Sequence, residues 1–195
     1  MGGLSTVESV SELTFFSTMR QMKQFRIIFI GLLLVVCVGT LWANDPDGDT
    51  YPTTERLFYI TRSVNKNLVC YDMNLANGQL DTEKPLHVYW INREEHPGKK
   101  DELNFIQRKM AYGYKLVRKD TNQCVVSLTA YPGRELIIRA HGGSYACFVL
   151  INGQEAILQS LFVKTKPSNP MSVEYVELRG ITTDGNQKVS EQVRK

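Results

Sequence analysis

Most patterns that announce a chemistry are missing from this sequence. It holds three histidines. No HExxH or CxxC spacing gives them companions, and a zinc site needs a converging set of ligands. No metal site and no cofactor are expected. GxSxG is absent, which removes the common strand-to-helix nucleophile turn. No run of Lys or Arg exceeds two, and the formal net charge is only +3. Nucleic-acid backbones need a concentrated basic surface, so nucleic acid is excluded as a partner. There is no internal repeat.

Cysteine is scarce and does not form a framework. Cys70, Cys124 and Cys147 each sit in an apolar run. Of the four cysteines, Cys37 lies in the apolar run near the N-terminus; the three of the expected mature part are an odd number, so at least one stays unpaired in the monomer, and all three read as small buried hydrophobes.

A long apolar span is also missing. The charge-free run over residues 27–39 is shorter than the roughly 20 residues a membrane helix needs. Arg20, Lys23 and Arg26 precede it and "TLWAND" follows, which is the layout of a secretory signal with cleavage after Ala43. An uncleaved anchor is the alternative, and it is the only membrane association expected. A lipoprotein reading through Cys37 is weakened by Val36 before it. "MKQFRIIFIGLLLVV" is a complete signal by itself, so translation from Met19 or Met22 fits better than the longer start. The expected organisation is a signal peptide over 1–43, a flexible leader over 44–55 and one β-rich domain over 56–195. The product is exported, to the periplasm or the cell surface. In the leader, Asp45, Asp47 and Asp49 alternate like a calcium loop, but Gly48 and Arg56 fall at the wrong positions.

What the chain does contain is strand signal. "RLFYITR", "NLVCYDMNL", "PLHVYWINR", "YKLVRK", "QCVVSLTAY", "ELIIRAH", "SYACFVLI", "EAILQSLFVK" and "SVEYVELR" are short and rich in β-branched or aromatic residues. Asn152-Gly153 suits a two-residue type I′ hairpin turn. One segment has helical period: Leu103, Ile106 and Met110 recur over residues 102–112. Asp101 is the expected N-cap and Gly113 the stop, with Leu103, Ile106 and Met110 packed on the sheet. "KTKPSNPMS", with two prolines, reads as a loop. The expected fold is all-β and mainly antiparallel: a small closed or partly open β-barrel of about eight or nine strands with one inserted α-helix. A β-sandwich is the competitor.

The densest cluster of reactive side chains is "HVYWINREEHPG". Read as a strand, it puts Leu86, Val88 and Trp90 on one face and His87, Tyr89, Ile91 and Arg93 on the other. The apolar trio is the set expected to face inward. Glu94, Glu95 and His96 then fall in a solvated turn. "RSVNKN" offers a basic, amide-rich rim suited to an acidic or sugar-like ligand, although the same residues suit a hairpin tip. The candidate ligand-binding residues are Arg62, Asn65, Lys66, Asn67, Tyr89 and Arg93. Phe58, Tyr59, Tyr89, Trp90, Tyr112, Tyr114 and Phe148 are available to line a barrel cavity.

The order "LFYITRSVNKNLVCYD", "VYWIN", "IQRKMAYGYKL", "INGQEAILQSLFV", "PMSVEYVELRG" resembles a family of exported Bacteroidetes proteins, the domain of unknown function 4833. The likeness runs from residue 55 to the C-terminus. It implies a compartment and a type of organism. It implies no activity and carries over no catalytic residue.

These readings combine into a non-enzymatic binding protein of the bacterial envelope. Its ligand would be a small hydrophobic or amphipathic molecule, or a partner protein, held at the barrel mouth. The alternative is an envelope hydrolase or processing enzyme using Arg93, Glu94, Glu95 and one histidine of the 87–96 cluster.

Overall fold

The computed structural model describes residues 54–194. The proposed signal peptide, the alternative starts and nearly all of the leader lie outside the described residues.

Among the described residues thirteen strands form: β1 (Arg56–Arg62), β2 (Asn65–Met73), β3 (Leu75–Ala76), β4 (Gln79–Leu80), β5 (Leu86–Ile91), β6 (Lys100–Glu102), β7 (Tyr114–Lys119), β8 (Gln123–Leu128), β9 (Tyr131–His141), β10 (Ser144–Ile151), β11 (Gln154–Lys166), β12 (Asn169–Thr182) and β13 (Lys188–Arg194). β3 and β4 make a separate two-stranded ribbon, and the other strands make one sheet. The expected all-β, mainly antiparallel, barrel-like fold is present as a curled half-barrel.

The half-barrel follows from one long strand. β12 occupies one edge of β11, from Ala156 to Lys166. On the opposite edge β10 pairs with residues 154–157, and β1 runs parallel to residues 160–163. Two strand series therefore fork from β11: β1-β2-β5-β6 and β10-β9-β8-β7. Register shifts around Leu158 and Thr165 bend β11 and its partner. Among the described residues no ladder joins the ends β6, β7 and β13, so the barrel is partly open.

The main core lies between the two series. Leu57, Phe58, Val69, Tyr71, Leu86 and Val88 come from one, and Cys124, Val126, Leu136, Ile138, Cys147 and Val149 from the other. Phe58 stacks on Tyr71 at 4.4 Å, and the Tyr71 hydroxyl donates to the Tyr112 carbonyl at 2.8 Å. Burial pushes the Tyr71 hydroxyl well above its ordinary pKa.

Strand alternation in β5 separates the two predicted sets, but each set contributes buried residues, while His87 is exposed and Arg93 is half-buried. Leu86 and Val88 join the main core, with Trp90 packed against it. Tyr89 and Ile91 join a second cluster with Tyr59, Leu68 and Cys70. Tyr89 is only 2% exposed and is more buried than Trp90, against the expectation. A polar network makes this possible. The Tyr89 hydroxyl donates to Asp72 Oδ2 at 2.6 Å and accepts from Arg56 Nη2 at 3.0 Å, and Arg56 Nε also bonds Asp72. Burial first, then the Asp72 hydrogen bond, raise the Tyr89 pKa well above the usual range.

The predicted helix is much shorter than its sequence period implies. It comprises α1 (Phe105–Gln107) and a π-helical turn (Arg108–Tyr112). Asn104, not Asp101, is the N-cap, in a reciprocal capping box with Gln107. Asp101 pairs with Trp90 as part of β6 instead. Leu103 is buried but precedes the helix, whereas Phe105, Ile106 and Met110 are exposed. The π turn inserts an extra residue per turn and breaks the i, i+3, i+7 register. Gly113 does end the segment. A Cβ there would stand 1.9 Å from the Arg108 carbonyl oxygen, so only glycine fits.

"KTKPSNPMS" is not a loop: its ends belong to β11 and β12, and the turn occupies residues 167–168. Pro170 is tolerated because the β11–β12 register is irregular between Thr165 and Lys166.

Candidate functional site

Two cavities open beside the pair Trp90 and Tyr112, whose rings meet edge-on with centroids 5.0 Å apart. Trp90 lines one cavity and Tyr112 the other.

The Tyr112 cavity is apolar, with a volume of about 260 Å³. Ile60, Leu128, Val163, Val173 and Val176 wall it, and Met110 and Met171 stand at it. Both methionines are highly exposed, at 71% and 86%. Arg62 is the only charged residue among its lining residues. Its Nη1 donates to the Tyr112 hydroxyl at 3.0 Å and its Nη2 to the Pro170 carbonyl at 3.0 Å. Among the described residues no carboxylate pairs with Arg62. A guanidinium with neutral partners only, beside an apolar wall, favours an incoming anion.

The Trp90 cavity is a polar cleft of about 490 Å³, lined also by Asn65, Asn67, Asn92, Asp101, Glu102, Asn104 and Gln107. Every amide oxygen here is already engaged. Asn65 Oδ1 accepts from the Asn67 N–H at 3.2 Å, and Asn67 Oδ1 from the Arg93 N–H at 2.9 Å. Asn92 Oδ1 accepts from the N–H groups of Glu94, Glu95 and His96 at 3.0, 3.0 and 3.2 Å. Asn104 and Gln107 exchange bonds at 2.9 Å. A backbone N–H can only donate, so the accepting atom must be the amide oxygen. Among the described residues no acceptor meets any of these NH₂ groups. The two carboxylates are neutralised: Asp101 by Lys99 at 2.9 Å, Glu102 by Arg108 at 2.8 Å, with His87 also bonded to Glu102 at 2.6 Å. Trp90 Nε1–H is buried without a partner among the described residues. Such a group costs about 1–3 kcal/mol.

The predicted ligand-binding residues divide between the two cavities. Asn65 and Asn67 line the polar cleft, and Arg62 lines the apolar cavity. Tyr89 is buried in the Asp72 network, and Lys66 and Arg93 are among the lining residues of neither. Glu94, Glu95 and His96 are exposed on the turn that Asn92 holds, and they converge on neither cavity. Among the described residues no three His, Cys, Asp or Glu side chains are grouped to hold a metal ion.

Sequence reasoning missed Asn92, Asn104, Gln107, Met110 and Met171 as lining residues. The amides look like ordinary turn and cap residues because their oxygens play that part. Met110 was assigned to the core by its period.

No curated protein and no solved structure matches the chain. Residues 58–192 match the family described as Domain of unknown function (DUF4833), a span that includes both cavities. The chain therefore belongs to the DUF4833 family.

Proposed function

We propose that this chain is an exported, non-enzymatic binding protein whose half-barrel mouth takes a small anionic amphiphile. One observation carries the reading: Arg62, with no carboxylate partner among the described residues, lines an apolar cavity beside two exposed methionines. A carboxylate on the ligand would meet the guanidinium, and a short hydrocarbon body would lie against the valines. Unbranched methionines adapt to such a body better than rigid side chains do. The volume of about 260 Å³ lies between a cavity of roughly 150 Å³ that holds benzene and the pockets of about 300–1,000 Å³ that hold drug-sized molecules. That size suits a medium-chain acid. Export rests on the basic patch before residues 27–39 and the "TLWAND" sequence after them.

A second reading is a protein partner, favoured by the exposure of Phe105, Ile106, Met110 and Met171 on and near the π turn. Octanoate and octylamine separate the two. By calorimetry octanoate should bind and octylamine should not. Arg62→Gln should weaken octanoate about tenfold, the loss of one charge-assisted contact. Equal binding of acid and amine, or of neither, defeats the amphiphile reading.

A further inference from the structure

We propose that the polar cleft beside Trp90 is a separate binding site for a neutral, oxygen-rich ligand of the carbohydrate class. It shares no lining residue with the Arg62 cavity, so the two readings stand independently.

The cleft gathers the amides of Asn65, Asn67, Asn92, Asn104 and Gln107 around the indole of Trp90. Their oxygens hold the surrounding backbone. Asp accepts turn and cap hydrogen bonds about as well as Asn does. Structural duty alone therefore does not call for an amide at Asn65, Asn67, Asn92 and Asn104. What the amide adds in each case is an uncharged NH₂ donor. Ligands that answer a concentration of such donors carry many acceptor oxygens.

Charge decides between an anion and a neutral ligand. Asp101 and Glu102 line the cleft, and each is matched by one cation, Lys99 or Arg108. The site therefore offers no surplus positive charge to an anion. The carboxylates still have oxygen lone pairs for ligand hydroxyls. Sugar hydroxyls both accept and donate, so they meet amide donors and carboxylate acceptors together. The indole gives the C–H face of a sugar ring an apolar surface. A volume of about 490 Å³ accommodates a short oligosaccharide.

The test uses the full chain carrying Trp42→Phe, which leaves Trp90 as its sole tryptophan. Maltotriose and triacetylchitotriose are titrated separately, followed by Trp90 emission and by calorimetry. At least one should give a saturable change. Asn67→Asp and Asn104→Asp retain the oxygen that holds the backbone and remove the NH₂ donor. Each should weaken that sugar about tenfold with an unchanged melting curve. Arg62→Gln should leave sugar binding intact. The proposal is overturned if neither sugar saturates, if both Asp variants bind like the parent, or if inorganic phosphate saturates the cleft and displaces the sugar.

Discussion

Trp90 packs edge-on against Tyr112 at 5.0 Å, so a pair of aromatic rings stands between an amide-lined cleft and an apolar cavity. Trp90 contributes packing, yet it holds a buried indole N–H that bonds to nothing described. These two effects oppose each other, and substitution separates them. Trp90→Ala removes the ring and should destabilise by about 3 kcal/mol. Trp90→Phe keeps a ring and removes the unpaired donor, so it should change stability by less than about 1 kcal/mol. His87→Ala should matter little, because His87 is exposed beside Glu102. Urea denaturation reads all three. A Phe variant as damaged as the Ala variant would show that the N–H has a partner.

Leu103 and Met110 should respond oppositely to the same change. Leu103→Asp buries a charge and should cost several kcal/mol. Met110→Asp lies at an exposed position and should shift stability by about 0.5 kcal/mol or less. It should nevertheless weaken octanoate, since it sets a negative charge at the Arg62 cavity. Thermal melts and calorimetry on the two variants check this. Collapse of the Met110 variant would restore the regular helix that the sequence period suggests.

Arg134 and Glu191 fasten β9 to β13 with bonds of 2.7 and 3.2 Å, and the Asn152 N–H donates to the same carboxylate at 2.6 Å. The Arg134 hydrogen bond holds the Glu191 carboxyl below its usual range. A carboxyl depressed in the folded state adds stability above its unfolded pKa of about 4.3 and loses it as pH falls through the folded value. Glu191→Gln should thus lose about 1 kcal/mol near neutral pH. Its deficit should vanish in acid. Chemical denaturation at pH 7 and pH 3 measures both. A deficit that persists at low pH would mean that charge is not the cause.

Cys70, Cys124 and Cys147 form no disulfide among the described residues, and all three are buried. Burial pushes Cys124 up to about 11 and Cys147 higher still. Labelling by a disulfide reagent at pH 8 should be slow in the folded protein and complete in denaturant. Prompt native labelling of any of the three would contradict this burial.

Much of the fold was legible because local chemistry forces it. Asn152 and Gly153 take positive φ, 52° and 78°, as a type I′ turn requires. The β5 alternation also held. Tyr89 misled because its burial depends on Asp72 and Arg56, which are distant in sequence and invisible to periodicity. The helix misled because Lys100–Glu102 found a partner in β5, which left too few residues for a regular helix. Asn65 and Asn67 were singled out as turn residues, but they open strand β2, and the turn itself is residues 63–64. Asn92, Asn104 and Gln107 share that chemistry, but only the folded chain brings them to the same cleft.

The central claim is that the half-barrel mouth binds an anionic amphiphile beside Arg62. Methyl NMR of ¹³C-methionine protein titrated with octanoate tests it most directly. The account predicts saturable shifts of the Met110 and Met171 methyls with one shared affinity, weakened about tenfold by Arg62→Gln. Methyl signals that stay fixed while octanoate binds, or shifts that survive the Arg62 substitution unchanged, would contradict it.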